Sequence, residues 1–126
     1  MHKSKLAGFI IDCRTDDLPK AADFWSGALG MPLLEAPANE ADLYRKLLDA
    51  HAGLNIEVQK VAHPSRVHLD IETDDIEAEV RRLEGLGATK VQQVHSWWVM
   101  ESPTGQRFCV VRAASPKFEE QASRWP

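Results

Sequence analysis

The feature that most constrains this chain is an internal repeat. The stretch Ile10-Ile11-Asp12-Cys13-Arg14-Thr15-Asp16-Asp17 returns 58 residues later as His68-Leu69-Asp70-Ile71-Glu72-Thr73-Asp74-Asp75. Each copy sets an Asp three residues ahead of Thr-Asp-Asp, and an apolar residue, Leu18 or Ile76, follows. Such a repeat in a chain of 126 residues means two copies of one supersecondary unit. A chain this short holds both copies in a single domain, residues 1–126.

Each copy reads as a strand running into a helix. Over 7–15, alternation sends Phe9, Ile11 and Cys13 to one face and Ile10, Asp12 and Arg14 to the other. Asp16 is placed to cap the next helix, and Pro19 falls in its first turn. Leu18, Ala22, Trp25 and Leu29 recur at helical spacing, and Gly30 supplies a stop. A short strand is expected over 31–35 and a loop over 36–42. A hairpin of 43–48 with 54–61 then turns at 49–53, and Asn55, Glu57 and Gln59 share one of its faces. After a linker at 62–65, Val67, Leu69 and Ile71 point one way and His68, Asp70 and Glu72 the other. Asp74 and Glu77 have the spacing of a capping box, and Ile76, Val80 and Leu83 repeat the apolar helix face. Strands at 90–94, 96–101 and 106–112 complete the second copy. The half-units are thus 7–61 and 66–112, each β-α-β-β-β. The polar tail 113–126 carries Phe118 and Trp125, which favour a docked arm.

The helix of each unit covers the apolar side of its strands. The other side carries Asp12, Arg14, Glu57, Gln59, His68, Asp70 and Glu72, too many polar groups for a dry core. Two such sheets curving towards each other enclose a polar-lined cup, and a cup with converging carboxylates and a histidine is where a ligand is expected. The formal net charge is −4 with no basic block, so nucleic acid is not an expected partner. No apolar run is long enough to cross a bilayer, and no apolar h-region follows Met1-His2-Lys3-Ser4-Lys5. Cys13 and Cys109 lie far apart with no CxxC pairing, which fits reduced thiols in a cytoplasmic protein.

Three segments carry a resemblance. They are Asp16-Asp17-Leu18-Pro19-Lys20-Ala21-Ala22-Asp23-Phe24-Trp25 with Ala28-Leu29-Gly30, the run from His68-Leu69-Asp70 to Leu86-Gly87-Ala88, and Ser102-Pro103-Thr104-Gly105-Gln106-Arg107-Phe108-Cys109-Val110-Val111. In this double register the chain resembles the vicinal oxygen chelate superfamily over about 7–112. That superfamily includes glyoxalase I, the extradiol dioxygenases and the bleomycin- and fosfomycin-resistance proteins. The last segment looks like the family's D-P-x-G-N turn, with Ser102 for Asp and Gln106 for Asn. The Ile-Asp-Cys and Phe-Cys-Val-Val pieces look most like the glyoxalase-like bacterial subgroup.

The resemblance implies an α+β fold, two tandem β-α-β-β-β units forming a curved mixed sheet around a cup, and a homodimer. It also implies where a divalent metal would sit, since family sites take one ligand from the first and last strand of each unit. Those places here are Ile10, Glu57, His68 and Cys109. Ile10 has no donor atom, and Cys109 stands where a carboxylate is usual. Glu57, His68 and a Cys109 thiolate make a softer three-donor set, suited to zinc. The expected cofactor is therefore none or one divalent metal ion.

Each candidate has a plainer reading beside the functional one. His68 is a candidate ligand or general acid/base, because imidazole titrates near neutral pH, or simply a histidine bonded within a polar face. Glu57 is a candidate base, or the partner of Arg14, Arg45 or Arg107. Asp12 and Asp70, candidate ligand-binding residues with Arg14, recur at one place in the repeat, which also suits a structural job. Cys109 is a reactive thiol or an inert buried one. Of Trp97 and Trp98, alternation turns one ring to the cup, where it can stack on a planar ligand. Trp25 is expected in the core, and His51, His63 and His95 in solvated turns.

Three functions compete. One is a protein that binds a small organic molecule without the full family metal site, as the resemblance to drug-sequestering proteins implies. Another is a metal-dependent lyase or isomerase acting on a small oxygenated metabolite. The third is a scaffold for partner binding. Glyoxalase I chemistry on a glutathione adduct is disfavoured by Ile10 and Cys109. An extradiol dioxygenase needs a two-His, one-carboxylate iron site, and one His is in place.

Overall fold

A computed structural model describes residues 1–49 and 53–126, so the tip of the 49–53 turn, with His51, lies outside the described residues. The chain divides into two compact units, one of residues 8–67 and the other of residues 1–7 with 68–126. The class is α+β, and strands pair both parallel and antiparallel within each unit.

In the unit of residues 8–67, the second half of β1 (His2–Arg14) runs parallel to β3 (Asn55–Val61), from Gly8 opposite Asn55 to Arg14 opposite Val61. β2 (Tyr44–Leu47) pairs antiparallel with β3. Between them comes α1 (Leu18–Leu29), which Gly30 ends in the left-handed region at φ 67°. Its cap is Asp17, one residue later than expected. Thr15 Oγ1 accepts the Asp17 N–H at 2.9 Å, and this turn brings the Asp17 carboxylate within 3.1 Å of the Lys20 N–H. The strand expected at 31–35 shrinks to a single bridge, Leu33 to Leu47. Pro32 has no N–H to extend a ladder; its carbonyl only accepts from Leu48. Leu18, Leu47, Ile56 and Val58 form the core, with Phe9, Cys13 and Trp25 packed against it. Burial pushes the Cys13 thiol pKa up, helped by the Asp12 charge and opposed by Trp25.

In the other unit β4 (Arg66–Thr73) runs parallel to β7 (Arg107–Arg112), which pairs antiparallel with β6 (Trp97–Glu101), and β6 with β5 (Thr89–Val94). α2 (Ile76–Gly85) is capped by Asp75, which accepts from the Ala78 N–H at 3.1 Å. The expected Asp74–Glu77 capping box does not form, because Asp74 Oδ1 is taken by the Lys3 N–H at 2.8 Å. Val80, Leu83, Met100, Phe108 and Val110 make the core, with Ile71 and Trp98 against it. Val67 and Leu69, expected inward beside Ile71, are 59% and 49% exposed. A ten-residue helix is about 15 Å long and an eight-residue strand about 26 Å, so α2 is too short to cover the whole of β4.

The tail docks. After α3 (Phe118–Gln121), whose Phe118 is buried, β8 (Ser123–Trp125) pairs with His2–Ser4 of β1. This is why β1 begins at His2 rather than near residue 7. Trp125 Nε1 donates to Ser4 Oγ at 2.9 Å, and the Arg82 guanidinium lies 3.9 Å above the Trp125 ring. Beneath it Glu79, with no exposed surface, accepts from His2 Nε2, Arg82 Nε and Arg82 Nη2, each at 2.8 Å. Burial alone would raise the Glu79 pKa. Hydrogen bonds from Arg82, His2 and Ser4, with the Arg82 charge, outweigh it and hold the carboxyl below its usual value.

Candidate functional site

The register of β4 and β7 builds a cluster. His68 and Asp70 sit two apart on β4 and so share a side. Asp70 lies opposite Cys109 of β7, and Cys109 opposite Val99 of β6, which puts all four on that side. α2 packs on the reverse, against Met100, Phe108 and Val110. The ligand atoms of His68, Asp70 and Cys109 all lie within 4.8 Å of one another, and His68 Nε2 is 3.5 Å from Asp70 Oδ1. All three residues are half-buried, and among the described residues Asp70 Oδ1 is shielded from solvent with no hydrogen-bond donor on it.

Donor atoms around a tetrahedral zinc are about 3.3–3.8 Å apart, so small side-chain shifts would let this trio close on an ion. Imidazole, carboxylate and thiolate suit zinc better than a hard cation. The residues present therefore fit a metal of that kind with one coordination position open.

The tryptophans separate as alternation requires. Trp98 faces α2: it packs on the core and lines a cavity of about 320 Å³ with Asp74, Glu77, Gln93 and Arg112. Trp97 is on the same side of β6 as Val99, hence on the side of Cys109, and its ring is 5.4 Å from that of His95.

Glu57, Asp12 and Arg14 belong to the unit of residues 8–67. Glu57 lies opposite Ile10, and its Oε1 accepts from Asn55 Nδ2 at 2.9 Å. Asp12 is buried, with Arg66 Nε at 3.8 Å and His63 Nε2 at 4.0 Å. His63 is thus drawn to a carboxylate rather than simply solvated. Arg14 is exposed at the end of its strand and lines a second cavity.

The two ladders also reveal a residue that sequence reasoning passed over. Asp12 pairs with Gln59 as its repeat partner Asp70 pairs with Cys109. Gln59, not Glu57, therefore stands in β3 where Cys109 stands in β7. The counterpart of Glu57 is Arg107, which is ion-paired with Glu101 at 3.0 Å. The second copy is shorter between helix and last strand, so the 58-residue offset no longer marks this match.

The sequence model of the glyoxalase-like domain matches residues 8–111. The chain belongs to this family. Solved structures share the fold of the glyoxalase-like domain. A glyoxalase/bleomycin resistance protein/dioxygenase superfamily member from Vibrio splendidus 12B01 is 16% identical, with TM-score 0.54 over 85% of this chain and 98% of that one. Methylmalonyl-CoA epimerase from Mycobacterium tuberculosis is 18% identical, with TM-score 0.57 over 86% and 88%. An NAD-dependent benzaldehyde dehydrogenase from Legionella pneumophila is 10% identical, with TM-score 0.61 over 83% and 99%. At these identities the likeness is one of fold. No curated protein matches the sequence. Among the described residues, no helix of the glyoxalase-like domain is long and apolar enough to cross a membrane.

Proposed function

We propose that this glyoxalase-like domain binds a small, oxygenated organic molecule on the helix-free side of β4, β7 and β6. The observation that carries the reading is the convergence of His68, Asp70 and Cys109. His68 would donate to a ligand oxygen, Asp70 would orient the imidazole, and Trp97 would lie along a planar part of the ligand. Trp98 drops out, because it faces the helix. Asp12, Arg14 and Glu57 are not needed for this contact set. A cytoplasmic homodimer completes the proposal, with sedimentation as the check on the dimer.

The same cluster supports a second reading, a lyase or isomerase in which His68, Asp70 and Cys109 hold one zinc ion. The ion would supply Lewis-acid polarisation of a substrate oxygen. The chain's part would be to fix the three donors and hold the substrate oxygen at the open position.

One experiment separates the two readings. Metal content per chain is measured on untagged protein and on His68→Ala, before and after loading with zinc, followed by a screen of small carbonyl and carboxylate compounds for tryptophan quenching. The first reading expects no bound metal and a saturable quench lost in Asp70→Asn and Trp97→Phe. About one zinc per chain, absent from His68→Ala, replaces it with the second. Neither metal nor quench refutes both.

A further inference from the structure

The cavity beside Trp98 lies on the helix side of the sheet, away from the His68 cluster, and neither reading above uses it. It holds about 320 Å³, the small end of the range of small-molecule sites. Ladder register sets one wall. Gln93 of β5 and Val110 of β7 stand directly opposite Trp98 of β6, so all three side chains leave the sheet on the side of the core. Arg112 follows Val110 by two residues and stands opposite Thr73, which keeps it on that side as the diagonal neighbour of Trp98. Diagonal neighbours in antiparallel strands are about 7–8 Å apart, within reach of long side chains. Gln93, Trp98 and Arg112 thus make one continuous surface.

α2 supplies the facing wall, and its start is tied to the sheet. The Asp75 N–H donates to Thr73 Oγ1 at 3.1 Å, and Thr73 is the ladder partner of Arg112. At about 100° per residue, Ile76, Val80 and Leu83 form the stripe that meets the core, and Glu77 and Glu79 fall on opposite flanks of it. Glu79 turns to His2 of β1, so Glu77 turns the other way, towards β6 and β5, where it lines the cavity with Trp98 and Arg112. The two neighbouring carboxylates are engaged elsewhere: Asp74 Oδ1 takes the Lys3 N–H and Asp75 Oδ1 the Ala78 N–H. Among the described residues neither Glu77 nor Arg112 has a side-chain hydrogen bond or an ion pair, although both border the same hollow. Opposite charges that line one hollow without meeting leave a gap for a molecule that carries both.

We propose that this cavity binds a free α-amino acid with an aliphatic side chain. The Arg112 guanidinium matches the carboxylate with its fork of donors, and the Gln93 amide adds a neutral one. Glu77 takes the ammonium. Ile76 and the Trp98 ring meet the side chain. Lys90 Nζ lies 5.0 Å from the centre of that ring and occupies one of its faces, so an aliphatic guest suits the space better than a second flat ring.

Titration calorimetry at low ionic strength with leucine, isoamylamine and isocaproate tests this. The amine lacks the carboxylate of leucine, and the acid lacks its ammonium. Leucine is expected to saturate at one per chain, and the other two to bind about tenfold more weakly. Arg112→Gln should cost leucine about tenfold without weakening isoamylamine. Glu77→Gln should cost leucine about as much without weakening isocaproate, and raising the salt should weaken leucine binding to the parent. No folding defect would mimic that crossed pattern. His68→Ala should leave leucine binding unchanged, which keeps this site distinct from the His68 cluster. The proposal is overturned if leucine does not saturate, or if both variants, with wild-type circular dichroism, bind it undiminished. Isoamylamine binding as tightly as leucine would replace it with a site for amines. Isocaproate binding as tightly would replace it with a site for carboxylates.

Discussion

Glu79→Gln isolates the charge at the base of the docked tail. The side chain keeps its shape and loses one unit of charge in a position with no exposed surface. The carboxylate accepts three hydrogen bonds at 2.8 Å, two from Arg82 and one from His2. An amide has one oxygen, and its NH₂ would face an Arg82 donor. At least one charge-assisted bond is lost, worth about 1.5–3 kcal/mol, and the others weaken. Breaking a fully buried ion pair costs about 3–5 kcal/mol, but Arg82 keeps a quarter of its side chain in solvent and can rehydrate. The expected loss is therefore about 2–3 kcal/mol, a fall of roughly 8–12 °C in Tm for a chain of this size. Urea denaturation at pH 7 should show a lower midpoint with an unchanged slope. Folding holds the Glu79 carboxyl below its usual value, so its contribution is complete above the unfolded pKa and fades as pH falls through the folded one. The gap between parent and variant should close in acid. A gap under about 0.5 kcal/mol at pH 7, or one that does not narrow as the pH is lowered below the ordinary carboxylate range, would refute the assignment of stability to this charge.

Two further expectations test the unit of residues 8–67. A Cβ on Gly8 would stand 1.9 Å from the Asn55 carbonyl oxygen, a backbone atom that cannot swing aside, so Gly8→Ala should cost about 2–4 kcal/mol in the same urea assay. The chain has one tyrosine, Tyr44, whose phenol is pushed up to about 12, first by burial and then by Glu40 and the charge of Glu57. Phenolate absorbance should show its midpoint near that value in folded protein and near the ordinary 10.0 after denaturation. Glu57→Gln should lower the folded midpoint.

What the sequence made legible was mostly local. Alternation over 7–15 and 66–73, the helical stripes and Gly30 depend on neighbours a few residues away, and the elements they announce are there. Both helix caps fall one residue later than the sequence suggests, and the two copies share a turn that moves them, although in the second Asp74 is also engaged by the Lys3 N–H. Thr15 and Thr73 each accept the N–H of the Asp two residues on, and that turn hands capping to Asp17 and Asp75. The strand expected at 31–35 failed on Pro32, whose missing N–H weighs more than the apolar run around it. His68, Asp70 and Cys109 were all marked as candidates from alternation and resemblance. Their convergence was not legible, because it depends on which residue of β7 faces Asp70. Ladder register is a long-range property, and a slip of one residue would turn Cys109 to the helix side. Gln59 was missed for the same reason, as were the approach of His63 to Asp12 and the contact of Trp125 with Ser4.

The split of β1 between the two units bears on the order in which the protein is made. All the partners of the unit of residues 8–67 lie in one continuous run of chain. That unit can close as soon as residue 67 has left the ribosome. The other unit begins with His2–Ser4 and must hold them until Ser123–Trp125 arrive to pair with them. From that point until Ser123–Trp125 emerge, the first strand therefore carries an unfilled edge at one end while its other end is already built into a sheet. An exposed edge of this kind is an opening for pairing with another nascent chain. The three residues of β8 close it last.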